Sequence, residues 1–371
     1  MMRDFPISRA VMSSAVLPSQ NRNVFLDNIK AILIFLVVFG HLIELHISND
    51  AFLRPIWIFA YAFHMPMFAL VSGMVSKPVL DQRQSGQLIK NILAPLISFE
   101  LIYELTEYLL RGSFSVYAGL IAPYWMLWYL LSLLSWRLLL PLFARLQFPV
   151  MLAVVLAMVT SYSEHTGYLL SSSRTLIFFP FFVLGWQLGP NFFNLRRKFV
   201  WTALALMITA SSIVVCFLLP ANFDYRWLYG SFSLQRLGMA NPTGSLYQLL
   251  QYAVSGMLGL SVLHLLSRRD LGLARIGRQS MYVFLWHGMA LIALYQLGIL
   301  NRIFQMEDAA RLLISLASSA VIVYLGAHPH CEWLTQKLIL QPMQWLLLPQ
   351  TRDSVTAIVP AVSETKPLKP E

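Results

Sequence analysis

Charged residues are scarce in this chain. Aspartate, glutamate, lysine and arginine make up 12% of its 371 residues, whereas 57% are hydrophobic. A soluble domain usually carries about 25% charged residues. This composition therefore excludes an ordinary soluble protein and indicates a chain that lies largely within a lipid bilayer.

Cysteine is also rare, which excludes a fold stabilised by disulfides. The sequence contains 2 cysteines, Cys216 and Cys331. Cys216 falls within a hydrophobic run and Cys331 follows the last one, so neither a disulfide framework nor a metal site is predicted. We expect no metal ion and no bound cofactor.

Long hydrophobic runs, by contrast, recur along almost the whole chain. They contain about 17 to 25 residues each, which is the length that a helix needs to cross the hydrocarbon core of a bilayer. We predict an all-α, polytopic integral membrane bundle of about ten transmembrane helices. The predicted spans are 28–46, 55–75, 88–109, 119–141, 149–165, 174–190, 199–219, 246–266, 280–298 and 310–328.

The net charge of +10 comes from basic residues that are unevenly divided between alternate loops. Most of the 27 lysines and arginines fall in the set of segments that includes both chain ends, so the positive-inside rule places both termini in the cytoplasm. These charges are spread over separated loops and form no single basic surface that would bind a nucleic acid. We therefore expect the lipid bilayer, and no nucleic acid, as a partner. The predicted divisions are a cytoplasmic lead-in at 1–23, a transmembrane domain at 24–330, an interfacial segment at 331–349 and a disordered cytoplasmic tail at 350–371.

The first predicted span carries Asp27, Lys30 and His41 in an otherwise apolar sequence. Eleven residues at about 100° each put Lys30 and His41 on one helix face, about 16 Å apart. An ionisable group at the centre of a spanning helix costs about 2.5 to 3.5 kcal/mol, so this face is expected to point into the protein. His41 and Lys30 are the candidate catalytic residues, His41 as a general base and Lys30 either as a cation that meets a thioester or phosphate or as the partner of Asp27. The alternatives are a lysine that reaches the headgroups and a histidine that only bonds a neighbouring helix.

The second span places His64 near the middle of the membrane, beside Pro66. Proline removes a backbone donor, and Ser72 with Gly73 permits close approach of another helix, so a local break or a tight crossing is predicted there. His64 is a second candidate catalytic residue. The alternative is an incidental histidine in a helix interface.

Polar and aromatic residues collect toward the predicted outer side. Two acids lie one turn apart on the third span, and tryptophans begin the fourth. Aromatic faces and acids suit a hydroxylated ligand such as a sugar. The candidate acceptor-binding residues are Glu100, Glu104, Trp125, Trp128, Tyr225 and Trp227. Structural pairing of the acids and an interfacial aromatic belt are the alternative explanations.

The order of motifs resembles the acyltransferase 3 family of integral membrane acyltransferases, in particular the branch similar to fucose O-acetyltransferases. The resemblance covers the chain from about 24 to 330. The matching segments are LDNIKAILIFLVVFGH at 26–41, FHMPMFALVSGM at 63–74, LIKNILAPL at 88–96, YWMLWYLLSLL at 124–134, FFPFFVLGWQLG at 178–189 and IGRQSMYVFLWHG at 276–288.

This resemblance implies an O-acyltransferase of the bacterial inner membrane. Its donor is expected to be cytoplasmic acyl-CoA, with acetyl as the expected acyl group, and its acceptor a carbohydrate or lipid-linked glycan at the outer face. The family's first-helix motif is an arginine, ten residues and a histidine, and here Lys30 replaces the arginine. Lysine keeps the charge but loses the bidentate fork.

Coenzyme A carries several phosphates, which a cation-lined mouth attracts. The candidate donor-binding residues on the predicted cytoplasmic rim are Arg83, Lys90, Arg137 and Arg275. A secondary transporter or proton-relay protein is the alternative function, because such proteins also carry charged residues and histidines in their spans.

Overall fold

A computed structural model of the chain describes residues 23–48, 50–163, 169–195, 199–267 and 271–342. These residues form helices, turns and loops, with no strand among them. The predicted lead-in up to residue 22, residues 343–349 of the predicted interfacial segment and the predicted tail at 350–371 lie outside the described residues.

Described helices occur in every predicted span. Their bounds are α1 Val24–Ile43, α2 Leu53–Tyr61, α3 His64–Met74, α4 Gln82–Leu88, α5 Ala94–Arg111, α6 Val116–Gly119, α7 Trp128–Phe143, α8 Pro149–Ser161, α9 Ser172–Leu188, α10 Phe199–Leu218, α11 Pro242–Leu266, α12 Ala274–Arg278, α13 Ser280–Gln296, α14 Ile299–Phe304, α15 Asp308–Gly326 and α16 Pro329–Leu334.

Within the described ranges, seven helical segments are long and apolar enough to cross a membrane. They are Val24–His46, Leu53–Met74, Trp125–Phe143, Leu169–Leu188, Phe199–Leu218, Pro242–Leu266 and Asp308–Gly326. The other three predicted spans fall on α5, on α8 and on α13. The all-helical, multi-pass membrane architecture is thus confirmed, whereas the count of about ten spans and the location of the termini stay predictions.

Helix α1 lies at the centre of the bundle and contacts α2, α3, α12, α13 and α15. It begins after Asn23, whose side chain accepts a hydrogen bond from the Leu26 N–H (3.4 Å) and so caps the first turn. Near this end α12 approaches closely, because a side chain at Gly277 would lie 1.7 Å from the Asp27 carbonyl oxygen. A mostly buried α1 fits the prediction that its polar side chains face the protein interior.

The second span is broken beside His64, as predicted. Ala62 and Phe63 form a turn between α2 and α3. Pro66 has no N–H to bond the Ala62 carbonyl, which weakens the helix at this point. The His64 Nδ1–H instead donates to the Ala60 carbonyl oxygen (2.9 Å) and spans the break.

Helices α3 and α9 cross with their backbones in contact. A Cβ atom at Gly73 would lie 1.9 Å from the Phe182 carbonyl oxygen, and one at Gly185 would lie 1.9 Å from the Leu70 carbonyl oxygen. Only glycine permits this separation at either position. The predicted tight crossing at Gly73 is therefore present, and it fixes α3 relative to the rest of the bundle.

The described part of the predicted interfacial segment packs against the bundle through polar contacts. Glu332 on α16 accepts a hydrogen bond from Gln279 Nε2 (2.6 Å), and Trp286 Nε1 donates to Thr335 Oγ1 (2.8 Å). Thr335 begins a π-helical turn that extends to Leu340 and contacts α5. Its location at the membrane interface stays a prediction.

Candidate active site

Two cavities surround the C-terminal end of α1. They have volumes of about 660 and 290 Å³ and share five lining residues, so we treat them together as the histidine chamber. The shared residues are His41, Glu44, Tyr117, Trp125 and Tyr229.

A histidine and a carboxylate form the polar centre of this chamber. His41 Nδ1 lies 2.8 Å from Glu44 Oε2, one turn further along the chain. A carboxylate only accepts, so the proton of a neutral His41 lies on Nδ1 and its Nε2 carries a lone pair. The Tyr61 hydroxyl also donates to Glu44 Oε2 (3.3 Å). This is the geometry of a general base that a carboxylate orients.

Aromatic rings surround His41. The Trp125 ring meets it edge to face with 5.0 Å between centroids, and the His287 ring stacks at 5.7 Å. Trp125 has a φ of +35°, in the left-handed region that a bulky residue avoids. Such a conformation persists where the surrounding structure imposes it, and here it holds the indole against the candidate base.

Two further histidines lie in the same region. His64 is 2% exposed and lines the histidine chamber, with the Tyr61 ring 4.5 Å away. His287 is 1% exposed, and its Nδ1–H donates to the Phe284 carbonyl oxygen (2.7 Å). Its Nε2 is buried and has no hydrogen-bond partner among the described residues. The structure thus brings His41 and His64 to one chamber, and His287 stacks on His41 behind the chamber lining.

A second site, the cationic cavity, lies beside the N-terminal half of α1. It has a volume of about 270 Å³ and is lined by Lys30, Arg137 and Arg278 together with apolar residues. Lys30 Nζ is 3.6 Å from Asp27 Oδ1, and Arg137 Nη1 donates to Ser76 Oγ (3.2 Å). Lys30 and His41 therefore line two different cavities, Lys30 the cationic cavity and His41 the histidine chamber.

The predicted donor-binding residues fall into two groups. Arg137 lines the cationic cavity, whereas Arg83, Lys90 and Arg275 are exposed and do not line it. Arg278 was not a candidate from the sequence. It lies one turn after Arg275 on α12, and it lines the cationic cavity where Arg275 does not.

Among the predicted acceptor-binding residues, Trp125 and Trp128 line the histidine chamber. The Arg174 guanidinium lies 5.1 Å from the centre of the Trp128 ring and lines the same chamber. Cation and aromatic faces in one cavity are a combination that recognises polar ligands with an apolar face.

The two predicted acids do not line the chamber themselves, but each bonds a residue that does. Glu100 accepts two contacts from the Tyr124 N–H (3.0 and 2.9 Å), and Glu104 accepts from the Ser115 N–H (3.0 Å) and from its hydroxyl. Both acids thus hold the segment that leads into α7. Glu107, on the same helix, does line the chamber.

The loop before α11 contributes Leu228, Tyr229 and Phe232 to the chamber, whereas the predicted Tyr225 and Trp227 do not line it. Tyr225 packs on Trp57 and Trp227 on Tyr247, with 5.7 and 6.2 Å between ring centroids. Tyr229 of the same helical turn lines the chamber instead. Burial and the nearby Glu44 carboxylate raise the pKa of Tyr229, so its hydroxyl stays protonated.

Sequence reasoning missed Glu44, Tyr61 and Arg174 as chamber residues. For Glu44 a signal existed, because it lies three residues after His41 and residues at this spacing meet on a helix. Tyr61 and Arg174 come from separate segments, and no local spacing relates them to His41.

The fold and cavities together define a multi-pass helical membrane protein with a histidine–carboxylate pair at the end of its central helix. Residues 23–328 match the sequence profile of an acyltransferase domain, acyltransferase 3. The chain therefore belongs to the acyltransferase 3 family, as its motifs predicted.

Two curated proteins are similar to part of the chain. Nodulation protein NolL of Sinorhizobium fredii is 31% identical over 142 residues, which cover 34% of this chain and 38% of that protein. Nodulation protein NolL of Mesorhizobium japonicum is 32% identical over 129 residues, which cover 30% of this chain and 34% of that protein. The chain thus spans little more than a third of the length of either relative. No solved structure matches the chain.

Proposed function

We propose that this protein is a membrane O-acyltransferase. It transfers an acyl group from cytoplasmic acyl-CoA to a hydroxyl of a carbohydrate or lipid-linked glycan at the outer face of the membrane. The proposed acyl group is acetyl. The observation that carries the proposal is the pair of cavities along α1, one lined by cations and the other by the His41–Glu44 pair. Family membership supports the chemistry, and the bacterial relatives support the bacterial inner membrane as its location.

His41 is the proposed base. Its Nε2 takes the proton of the acceptor hydroxyl while the hydroxyl oxygen attacks the thioester carbonyl carbon. The carbon–sulfur bond then breaks, and the proton passes from His41 to the departing thiolate of coenzyme A. Glu44 keeps the imidazole in the tautomer that this step needs and stabilises the imidazolium formed during it.

The cationic cavity is the proposed donor site. Lys30, Arg137 and Arg278 offer charges to the phosphates of coenzyme A. The exposed Arg83, Lys90 and Arg275 form a rim that attracts the same ligand over a longer range. The donor is thus held at the opposite end of α1 from the base.

The histidine chamber is the proposed acceptor site. Trp125, Trp128 and Tyr229 provide aromatic faces for a sugar ring, and Arg174 provides a donor for its hydroxyls. Glu100 and Glu104 contribute indirectly, since they fix the segment that carries Tyr124 and Trp125. Tyr225 and Trp227 act by holding Tyr229 and its loop in place.

Release of coenzyme A from acetyl-CoA tests the proposal. The protein is purified in lipid nanodiscs and assayed with a panel of oligosaccharides, and His41→Ala is expected to lose about 10²- to 10⁴-fold in rate, the usual contribution of a general base. His330→Ala is the matched control, because His330 is exposed and lines neither cavity. A His41→Ala rate above a tenth of the wild-type rate contradicts the assignment. In sealed proteoliposomes, uptake of a sugar by the wild type without release of coenzyme A would support the transporter alternative instead.

A further inference from the structure

One methionine lies between the two cavities. Met65 lines both the cationic cavity and the histidine chamber, and among the described residues it is the one that both linings share. It directly follows His64 in the first turn of α3 and is half-buried. We propose that Met65 is the partition that the acyl group must pass, and that its side chain limits the length of the acyl chain. This inference rests on the proposed acyl transfer.

The lining of the cationic cavity is divided between charged and apolar residues. Besides its cations it contains Val37, Met65, Phe68 and Phe284. A thioester ligand has the same division, with charged phosphates at one end and an uncharged acyl group at the other. Phosphates on the cations would therefore direct the acyl group toward the apolar residues and Met65.

The candidate base lies close to these apolar residues of the cationic cavity. The Phe284 ring is 5.8 Å from the His287 ring, and His287 stacks on His41 at 5.7 Å. On the other side of Met65, the chamber lining includes His41 and His64. An acyl carbon that reaches Met65 is thus about to enter the space where the base and the acceptor meet.

The backbone of Met65 is fixed although its side chain is adaptable. The break at Ala62 and Phe63 sets where α3 begins, and the contact of Gly73 with α9 holds the same helix further along. Methionine is unbranched and has three rotatable bonds, so it can move aside for a small group. A longer acyl chain needs the volume that the Met65 side chain occupies.

Acyl-chain selectivity is the measurement that tests this inference. Rates of coenzyme A release are compared for acetyl-CoA and butyryl-CoA at saturating acceptor. Because one methylene changes discrimination by about 10-fold or more, Met65→Ala is expected to raise the butyryl-to-acetyl ratio at least 10-fold. Met65→Leu is expected to keep the wild-type ratio, and Met65→Phe is expected to lose transfer at least 10-fold while coenzyme A still binds.

Met281→Ala is the matched control, because Met281 lines the cationic cavity alone. This substitution enlarges the donor site but leaves Met65 in place, so the butyryl-to-acetyl rate ratio is expected to equal that of the wild type. An unchanged ratio in active Met65→Ala protein, or an equal rise in Met281→Ala, overturns the inference. If Met65→Ala does not fold, Met65→Val is scored by the same ratio and decides in its place. A wild-type protein that transfers neither acyl group would instead refute the proposed function itself.

Discussion

Replacement of Glu44 by glutamine isolates the contribution of the carboxylate to the candidate base. The carboxylate accepts from His41 Nδ1 at 2.8 Å and from the Tyr61 hydroxyl at 3.3 Å. Glutamine keeps the size of the side chain but removes its charge, and its amide can donate to Nδ1, which would move the histidine proton to Nε2. The base would then be in the wrong tautomer for proton abstraction.

The expected loss follows from the charge-assisted hydrogen bond. Hydrogen bonds to charged groups contribute about 1.5 to 3 kcal/mol. At about 1.36 kcal/mol per tenfold change in rate, Glu44→Gln should lower kcat by about 10- to 150-fold. The pair is part-buried, with side-chain exposures of 15% for His41 and 18% for Glu44, so solvent does not remove the interaction.

The assay is release of coenzyme A by nanodisc-embedded protein, with kcat and KM measured for donor and acceptor. Glu44→Asp should recover part of the lost kcat, because it restores the charge at a greater distance. Glu332→Gln is the matched control, since Glu332 bonds Gln279 and lines neither cavity. If Glu44→Gln keeps more than half of the wild-type kcat, the carboxylate does not orient the base.

Three further predictions follow from other parts of the structure. Lys30→Arg should retain most of the activity and Lys30→Met should lose nearly all of it, as measured by coenzyme A release; equal rates for both would mean that the charge in the cationic cavity is not used. In oriented vesicles, acyl-CoA supplied at the cytoplasmic face should label a glycan supplied only at the opposite face, and labelling that needs both on one face would remove the transmembrane route. Gly73→Ala should destabilise the protein by about 1 to 3 kcal/mol in thermal unfolding, because the added Cβ would meet the Phe182 carbonyl. Gly86→Ala is the control, since Gly86 has open space around it. A Gly73→Ala protein with wild-type stability would contradict the tight crossing.

Local spacing was enough to find the parts of the site that lie on one helix. His41 and Lys30 were identified because charged groups in an apolar run must face a protein interior. The break beside His64 followed from Pro66, and the crossing at Gly73 from its small size, since both effects act on the backbone nearby. The motifs also gave the family, which the profile match over residues 23–328 confirmed.

Residues from separate helices could not be assigned in the same way. Lys90 and Arg137 are both basic and both near predicted span ends, yet only Arg137 lines the cationic cavity. Likewise Tyr225 and Tyr229 lie one turn apart in the same loop, and only Tyr229 lines the histidine chamber. Which of two such residues points inward depends on the rotation of its helix or turn against its neighbours.

The sequence by itself determined that this is a multi-pass membrane protein of the acyltransferase 3 family with a candidate base at His41. Hydropathy and helical periodicity act over at most a few turns, so they fix the class of environment and the residues that share one helix face. Only the tertiary structure decided that His287 stacks on His41, that Arg278 joins Lys30 and that Met65 lines both cavities. These contacts depend on how helices distant in the sequence pack, and close packing of whole surfaces is a property that no single segment contains.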